Sequence, residues 1–249
     1  MGIYEKYAEV YDSSGQIGFS LRMIPYLQEL LERHPVEKGR MLDLACGTGT
    51  VALSFASNGW EVWGIDASSE MLAQAEKKGR ESGLRLRLSC QDMRWFTVPA
   101  SVRLATCLYD SMNYMLTLPD LQAVVQRVAA HLVPGGLLFF DMNTAWALEH
   151  VWDHHTFLVE SDDLSLIMAS EYDEEQLLGR INVTGFVRRG RLYERFSETH
   201  TEQAYSENEV RGAISAAGLR VLACYDCFDF DRPAEDCSRI MWVASKVEE

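Results

Sequence analysis

Residues 41–50, MLDLACGTGT, set Gly47 and Gly49 at the end of an apolar run and just before a stretch able to open a helix. A glycine turn in that position lets backbone N–H groups approach a ligand closely, and the helix dipole there favours anionic groups. Both glycines are therefore expected at a ligand. Asp66 ends the next apolar segment, WEVWGID (60–66), where a carboxylate can accept both hydrogen bonds of a ribose diol. A nucleoside derivative is the expected ligand. GTGTVA (47–52) also satisfies G-x-G-x-x-A, so the glycines alone admit an NAD(P)-dependent oxidoreductase equally well.

Other reactive side chains gather in two more places. LYDSMNYML (108–116) carries Tyr109, Asp110, Asn113 and Tyr114 in an otherwise apolar stretch that follows a strand. Loops at that edge carry function disproportionately. Tyr109 and Asn113 are expected to line the pocket, while Asp110 and Ser111 can equally cap the next helix. His200, in SETHTEQAY (197–205), sits on a strand facing a cleft, and its ordinary pKa of ~6.5 suits a general base. Metal chemistry is poorly supplied. CYDC (224–227) has only Cys237 and aspartates nearby, and a polar helix end accounts for His150, His154 and His155 in EHVWDHH, so no metal is expected.

Alternating elements must position these groups. A helical region ends near His34. A strand at 40–45, the glycine turn, a helix at 50–58 stopped by Gly59, a strand at 60–66 and a helix at 68–83 follow. Further strands are expected at 84–90, 102–110 and 135–143. The last two flank a helix with Leu121, Val124, Val125, Val128 and Leu132 on one stripe, stopped by Pro134 and Gly135. This is a doubly wound, mostly parallel α/β sheet. After about residue 151 the chain reads as antiparallel strands in LSLIMASEY, QLLGRINVTGFV and RLYERFSETHTEQAY. A capping box, Ser206 to Glu209, opens a helix ending at Gly218. Two strands, near 219–227 and 239–245, then pair as an antiparallel hairpin at the sheet edge.

The chain has 249 residues, is 47% hydrophobic and carries a formal charge of −14. No cluster of Lys and Arg suits phosphate backbones, so nucleic acid is not an expected partner. The first residues show no signal or myristoylation pattern, and no apolar run approaches membrane-spanning length. Six scattered cysteines suit reduced thiols. A cytoplasmic enzyme is the expectation.

MLDLACGTGT, GIDASSEML (64–72) and QDM (91–93) together closely resemble the class I S-adenosylmethionine-dependent methyltransferase family, in its small-molecule branch, over roughly residues 40–145. Ala45 stands where many members carry glycine. The resemblance implies S-adenosylmethionine as cofactor and a small-molecule methyl acceptor, at N or O. It implies one seven-stranded domain (1–249) with an N-terminal helical lid (1–38) and an antiparallel substrate cap (151–205).

Carried onto this chain, the resemblance implies that backbone around Ala45, Cys46, Gly47 and Gly49 holds the methionine part, with Asp43 ordering the loop. Asp66 binds the ribose, Ala67 and Met71 pack on the adenine, and Asp92 with the Met93 amide reads its edge. The Leu108 carbonyl meets the cofactor ammonium, and Tyr11, in YAEVYD (7–12), reaches over from the lid. His200, Tyr109 and Asn113 are the candidate catalytic residues. From the residues alone, Asp66 can instead cap the helix at 68, and Met71 and Tyr11 can serve the core. A non-catalytic binding protein on the same fold also stays open.

Overall fold

Apolar runs broken by glycines and capping residues give the expected alternation in the computed structural model, which describes residues 3–247. The extreme ends of the expected domain and lid, residues 1–2 and 248–249, lie outside the described residues. After one 3-10 turn at Tyr7–Glu9 come α1 (Ile17–Arg33), β1 (Arg40–Leu44), α2 (Thr50–Ser57), β2 (Glu61–Asp66), α3 (Ser69–Glu81) and β3 (Arg87–Cys90). Then follow β4 (Val102–Cys107), α4 (Leu118–His131), β5 (Leu132–Asn143) and a short α5 (Ala145–Ala147). The chain continues through β6 (Thr156–Glu160), β7 (Leu164–Asp173), β8 (Leu178–Arg189) and β9 (Leu192–Gln203) to α6 (Glu207–Ala216), β10 (Leu219–Asp226) and β11 (Arg239–Lys246).

The main sheet has the order β10-β11-β5-β4-β1-β2-β3. β1 lies parallel between β2 and β4, and β11 runs antiparallel to both β5 and β10. Alternation along β1 sends Leu42 and Leu44 into the layer formed with α4 and α6, and Met41 into the layer formed with α1 and α2. Asp43 is buried between apolar neighbours. Among the described residues no helix is long and apolar enough to cross a membrane.

β6 to β9 form a second, wholly antiparallel sheet. Its inner face packs on the N-terminal segment: Tyr7 and Val10 share a core with Leu164, Leu166, Val183, Val187 and Phe196. Main-chain anchoring completes the contact. Glu198 on β9 accepts N–H bonds from Tyr4, Lys6 and Tyr7 at 2.6, 3.1 and 3.2 Å. At the other end of the segment Asp12 accepts from Thr48 Oγ1 and Lys78 Nζ, each at 2.7 Å.

Three strand boundaries differ from expectation, and one strand was not expected. β3 begins at Arg87 rather than 84. β4 stops at Cys107 rather than 110, because Tyr109 and Asp110 take φ of 58° and 53° and turn the chain away from the sheet. β5 starts at Leu132 rather than 135, so Pro134, expected only to stop the preceding helix, lies within the strand. The edge strand β6 is mostly exposed and lacks the alternation that marks a half-buried strand.

Gly49 is the N-cap of α2 at φ 75°, and a Cβ there would meet the Ala75 Cβ at 2.8 Å. Left-handed strain and overpacking add, so Gly49→Ala should cost about 2–4 kcal/mol. The readout is a lowered denaturant midpoint at unchanged slope. A loss below about 0.5 kcal/mol would mean that α2 and α3 simply move apart.

Candidate functional site

A cavity of about 530 Å³ lies at the carboxyl ends of β1 to β4, where open α/β sheets bind ligands. The second sheet closes it with Met168, Ile181, Val183, His200 and Glu202, and the N-terminal segment with Tyr4, Tyr7 and Tyr11. Of the residues singled out by sequence, Tyr11, Asp43, Ala45, Cys46, Gly47, Asp66, Ala67, Met71, Asp92, Met93, Leu108, Tyr109 and His200 line it. Gly49 and Asn113 do not.

One end of the cavity is built by the turn after β1. Ala45, Gly47 and Gly49 all take positive φ, and a Cβ on Gly47 would meet nothing within 4 Å, so ligand-sized space lies beside that backbone. Gly47 N–H donates to Asp66 Oδ2 at 2.8 Å, and Ser68 N–H to Asp66 Oδ1 at 2.9 Å. Asp66 thus locks the turn to the start of α3 and keeps lone pairs for a diol. Helix capping falls to Ser68, which accepts from Met71 N–H at 3.1 Å. Burial raises the Asp66 carboxyl above the usual range.

The expectation that Gly49 meets the ligand is corrected: it faces Ala75 and serves the packing of α2 on α3. Asp43 is tied across the sheet, its Oδ1 accepting from Thr106 Oγ1 on β4 at 2.7 Å, and the Ala52 amide in the first turn of α2 also steadies its carboxylate. Burial pushes its pKa up to about 7. Asp92 is clamped by Arg94, whose Nε lies 3.0 and 3.2 Å from its two oxygens, and this pairing holds its carboxyl below the usual range. The Leu108 carbonyl accepts from Ser111 Oγ at 2.7 Å and retains a second lone pair.

The other end is built after β4. Asp141 Oδ1 and Oδ2 accept the N–H groups of Tyr109 and Asp110 at 2.7 and 3.1 Å, fixing the positive-φ turn. Arg239, opening β11, donates to Asp141 and, at 2.9 Å, to Asp110. Asn143 Nδ2 joins Asp110 Oδ2 at 2.6 Å and Glu202 Oε2 at 2.9 Å. Tyr109 stacks on Phe19 at 4.2 Å and donates its hydroxyl to Gln16.

Asn113 is corrected outright. It is fully buried behind the cavity, donating to the carbonyls of Asn143 and Gln203 and accepting from Asn143 N–H, so its amide joins β5 to β9.

His200 faces the cavity as expected, but not with the expected acidity. Its Nδ1 lies 3.0 Å from the Tyr114 hydroxyl, which in turn lies 2.9 Å from that of Tyr4, and its buried Nε2 has no hydrogen-bond partner, the Glu198 carboxylate lying 3.7 Å away. Desolvation lowers its pKa to about 4. It is neutral at pH 7 and too weak a base to hold a proton there.

Sequence inspection missed Tyr4, Gln16, Glu202 and Arg239. Only Glu202 left a local trace: Glu198, His200 and Glu202 recur at period two and share the inner face of β9. All six cysteines are unpaired, and among the described residues no three His, Cys, Asp or Glu converge in a metal-binding arrangement.

Comparison with known proteins matches this geometry to a family. A family model described as a methyltransferase domain covers residues 41–136. A Bacillus subtilis (strain 168) protein named "Putative methyltransferase YqeM" is 32% identical over 98% of this chain and 97% of its own. The dTDP-3-amino-3,4,6-trideoxy-alpha-D-glucopyranose N,N-dimethyltransferase of Streptomyces venezuelae is 28% identical over 78% of this chain and 81% of its own. The crystal structure of an S-adenosylmethionine-dependent methyltransferase from Clostridium acetobutylicum ATCC 824 superposes with a TM-score of 0.87 at 29% identity, covering 99% of this chain and 100% of that one. Likeness extends along the whole chain, second sheet included, and the chain therefore belongs to the S-adenosylmethionine-dependent methyltransferase family.

Proposed function

We propose that this chain methylates a small molecule at nitrogen or oxygen, with S-adenosylmethionine over the tips of β1 to β3 and the acceptor between β4 and the second sheet. The observation that carries this is the single cavity joining the Gly47 turn and Asp66 to Tyr109, His200 and Glu202. The family assignment sets the dinucleotide oxidoreductase aside. A net charge of −14 and unpaired cysteines support a small-molecule partner and a reducing, cytoplasmic setting.

The residues fit the cofactor. Open space beside Gly47, a diol-competent Asp66 and the apolar Ala67 and Met71 suit a nucleoside with a short charged tail. Ala45, Cys46 and Gly47 would hold the methionine part, Asp92 and Met93 the adenine edge, and the Leu108 carbonyl the ammonium. Bound there, S-adenosylmethionine supplies an electrophilic methyl: the acceptor lone pair bonds to it, the carbon–sulfur bond breaks with its pair left on sulfur, and the acceptor sheds one proton.

The chain's own task is positioning and water exclusion, effects worth up to about 7–11 kcal/mol in the best intramolecular cases. The segment from Tyr4 to Asp12 acts as lid and the second sheet as cap. Tyr11 closes the cavity from above, and Tyr109 is held by Gln16 and Phe19 at the acceptor end. His200 offers a neutral hydrogen-bonding Nε2, not a titrating base.

Calorimetry should show saturable S-adenosylhomocysteine binding and none of NADH. Asp66→Ala should lose at least tenfold in that affinity, since a charged hydrogen bond is worth about 1.5–3 kcal/mol. Undiminished binding would put the ribose elsewhere. His200→Ala should lower kcat about tenfold at unchanged S-adenosylhomocysteine affinity, with partial rescue by His200→Gln. An equal rate removes His200 from the site.

Asp43 gives a pH signature. Its folded pKa of about 7 lies above the ordinary 3.8, so the stability it contributes is full below pH 3.8 and declines as pH rises through 7. In urea titrations of the ligand-free protein, Asp43→Asn should match wild type near pH 4 and exceed it by a few kcal/mol at pH 8. A pH-independent difference would contradict the burial argument.

A further inference from the structure

The acceptor end of the cavity holds more negative charge than positive. Asp110 and Asp141 share one cation, Arg239, and Asn143 bridges Asp110 to a third carboxyl, Glu202. Two of the three carboxyls, Asp110 and Glu202, line the cavity. Among the described residues that line it there is no lysine or arginine. Arg239 itself stays behind the wall, against the Phe19 and Tyr109 rings at 4.7 and 5.7 Å.

A second, independent feature points to a ligand in the same place. His200, 5% exposed, carries a buried Nε2 with no hydrogen-bond partner, 3.7 Å from the Glu198 carboxylate, two residues before Glu202 on the inner face of β9. Aromatic rings surround this end: Tyr4, Tyr7, Tyr11, Tyr109, Tyr114 and Trp152. Carboxylates with aromatic faces are what a desolvated ammonium requires. A phosphate or carboxylate in the same place would meet like charge with no cation to answer it.

We propose that Glu202, backed by Asp110, binds the ammonium of an unphosphorylated aliphatic amine and takes its proton, making this enzyme an N-methyltransferase for cationic amines rather than for nucleoside-diphosphate-linked or acidic acceptors. The proposal rests on the methyl-transfer function above. One N–H proton passes from the ammonium to a Glu202 oxygen, and the freed nitrogen pair forms the bond to the methyl carbon while the carbon–sulfur pair stays on sulfur. The methylated nitrogen leaves that step as a cation, and the proton held by Glu202 passes to solvent when the product departs. His200 Nε2 and the Tyr114 hydroxyl remain to orient the nitrogen.

The acidity of Glu202 suits both steps. Burial, with Asp110 and Asp141 nearby, raises it well above an ordinary carboxyl, partly offset by Asn143 and Arg239. The empty pocket therefore favours a protonated Glu202, and an arriving ammonium ionises it. Within the pair, so basic a carboxylate accepts the ammonium proton more readily than an exposed one.

The test uses the full-length enzyme, three six-membered-ring probes and a variant. Cyclohexylamine, cyclohexanol and cyclohexyl phosphate are each titrated into the S-adenosylhomocysteine complex and assayed with radiolabelled S-adenosylmethionine. The amine should bind saturably, at least tenfold more tightly than the other two. E202Q should lose at least tenfold in amine affinity while keeping S-adenosylhomocysteine affinity within twofold, which also shows that it folds. Equal or better binding of alcohol or phosphate, no amine binding at all, or an E202Q that binds amine normally overturns the proposal. Should E202Q not fold, the wild-type ranking of the three probes decides. Failure to bind S-adenosylhomocysteine would instead overturn the methyl-transfer function itself.

Discussion

Three main-chain N–H groups converging on the Glu198 carboxylate hold the N-terminal segment against the second sheet, and the cavity's closure depends on that hold. Tyr4 takes φ 61°, a strained value for tyrosine that the 2.6 Å bond from its own N–H to Glu198 helps offset. From that anchor the rings of Tyr4 and Tyr7 reach His200, with centroids 4.7 and 6.3 Å away. The far end is pinned to the other side of the site, where Lys78 joins Asp12, Thr48 and Thr50. One short segment therefore spans from the cap to the glycine turn. Releasing either end would open the cavity to water.

Burial of acids distinguishes the two ends of the site. Asp66 and Asp92 are answered by local donors, the amides of Gly47 and Ser68 in one case and the Arg94 side chain in the other. Local donors make a rigid surface suited to a fixed, nucleoside-shaped ligand. At the acceptor end the balance is non-local and incomplete, since Arg239 reaches Asp110 across 129 residues and leaves Glu202 to Asn143. A buried charge short of a counterion either takes up a proton or attracts a cation. That incompleteness is a property a ligand can use.

The glycine end was legible because main-chain geometry dictates it. Gly47, with positive φ and open space beside it, can be read from the strand-turn-helix pattern, as can the Ser68 cap and the Ser206–Glu209 box. Gly49 and Asn113 had equally suggestive types and positions. What separated them was whether space or protein lay beyond the side chain, which depends on α3 for Gly49 and on β5 and β9 for Asn113. His200 shows a further limit, for its strand and face were readable while its depressed pKa arises from packing by residues 4–7 and 114. Arg239 left no local trace at all, being one basic residue opening an apolar strand.

The ion pairs at Arg239 are better understood as geometry than as stability. Removing carboxylates and a guanidinium from water costs several kcal/mol per ion, which their attraction roughly cancels. What remains is orientation. Asp141 uses both oxygens on the N–H groups of Tyr109 and Asp110, holding two successive residues at positive φ against a strain of ~1–2 kcal/mol each. Arg239 fixes Asp141 in turn, and β11 fixes Arg239 by pairing it with Asn143 on β5. The reversed strand β11 is thus also the support on which the Tyr109–Asp110 turn is aimed, so the antiparallel strand of the main sheet and a strained loop at its carboxyl edge are two parts of one device.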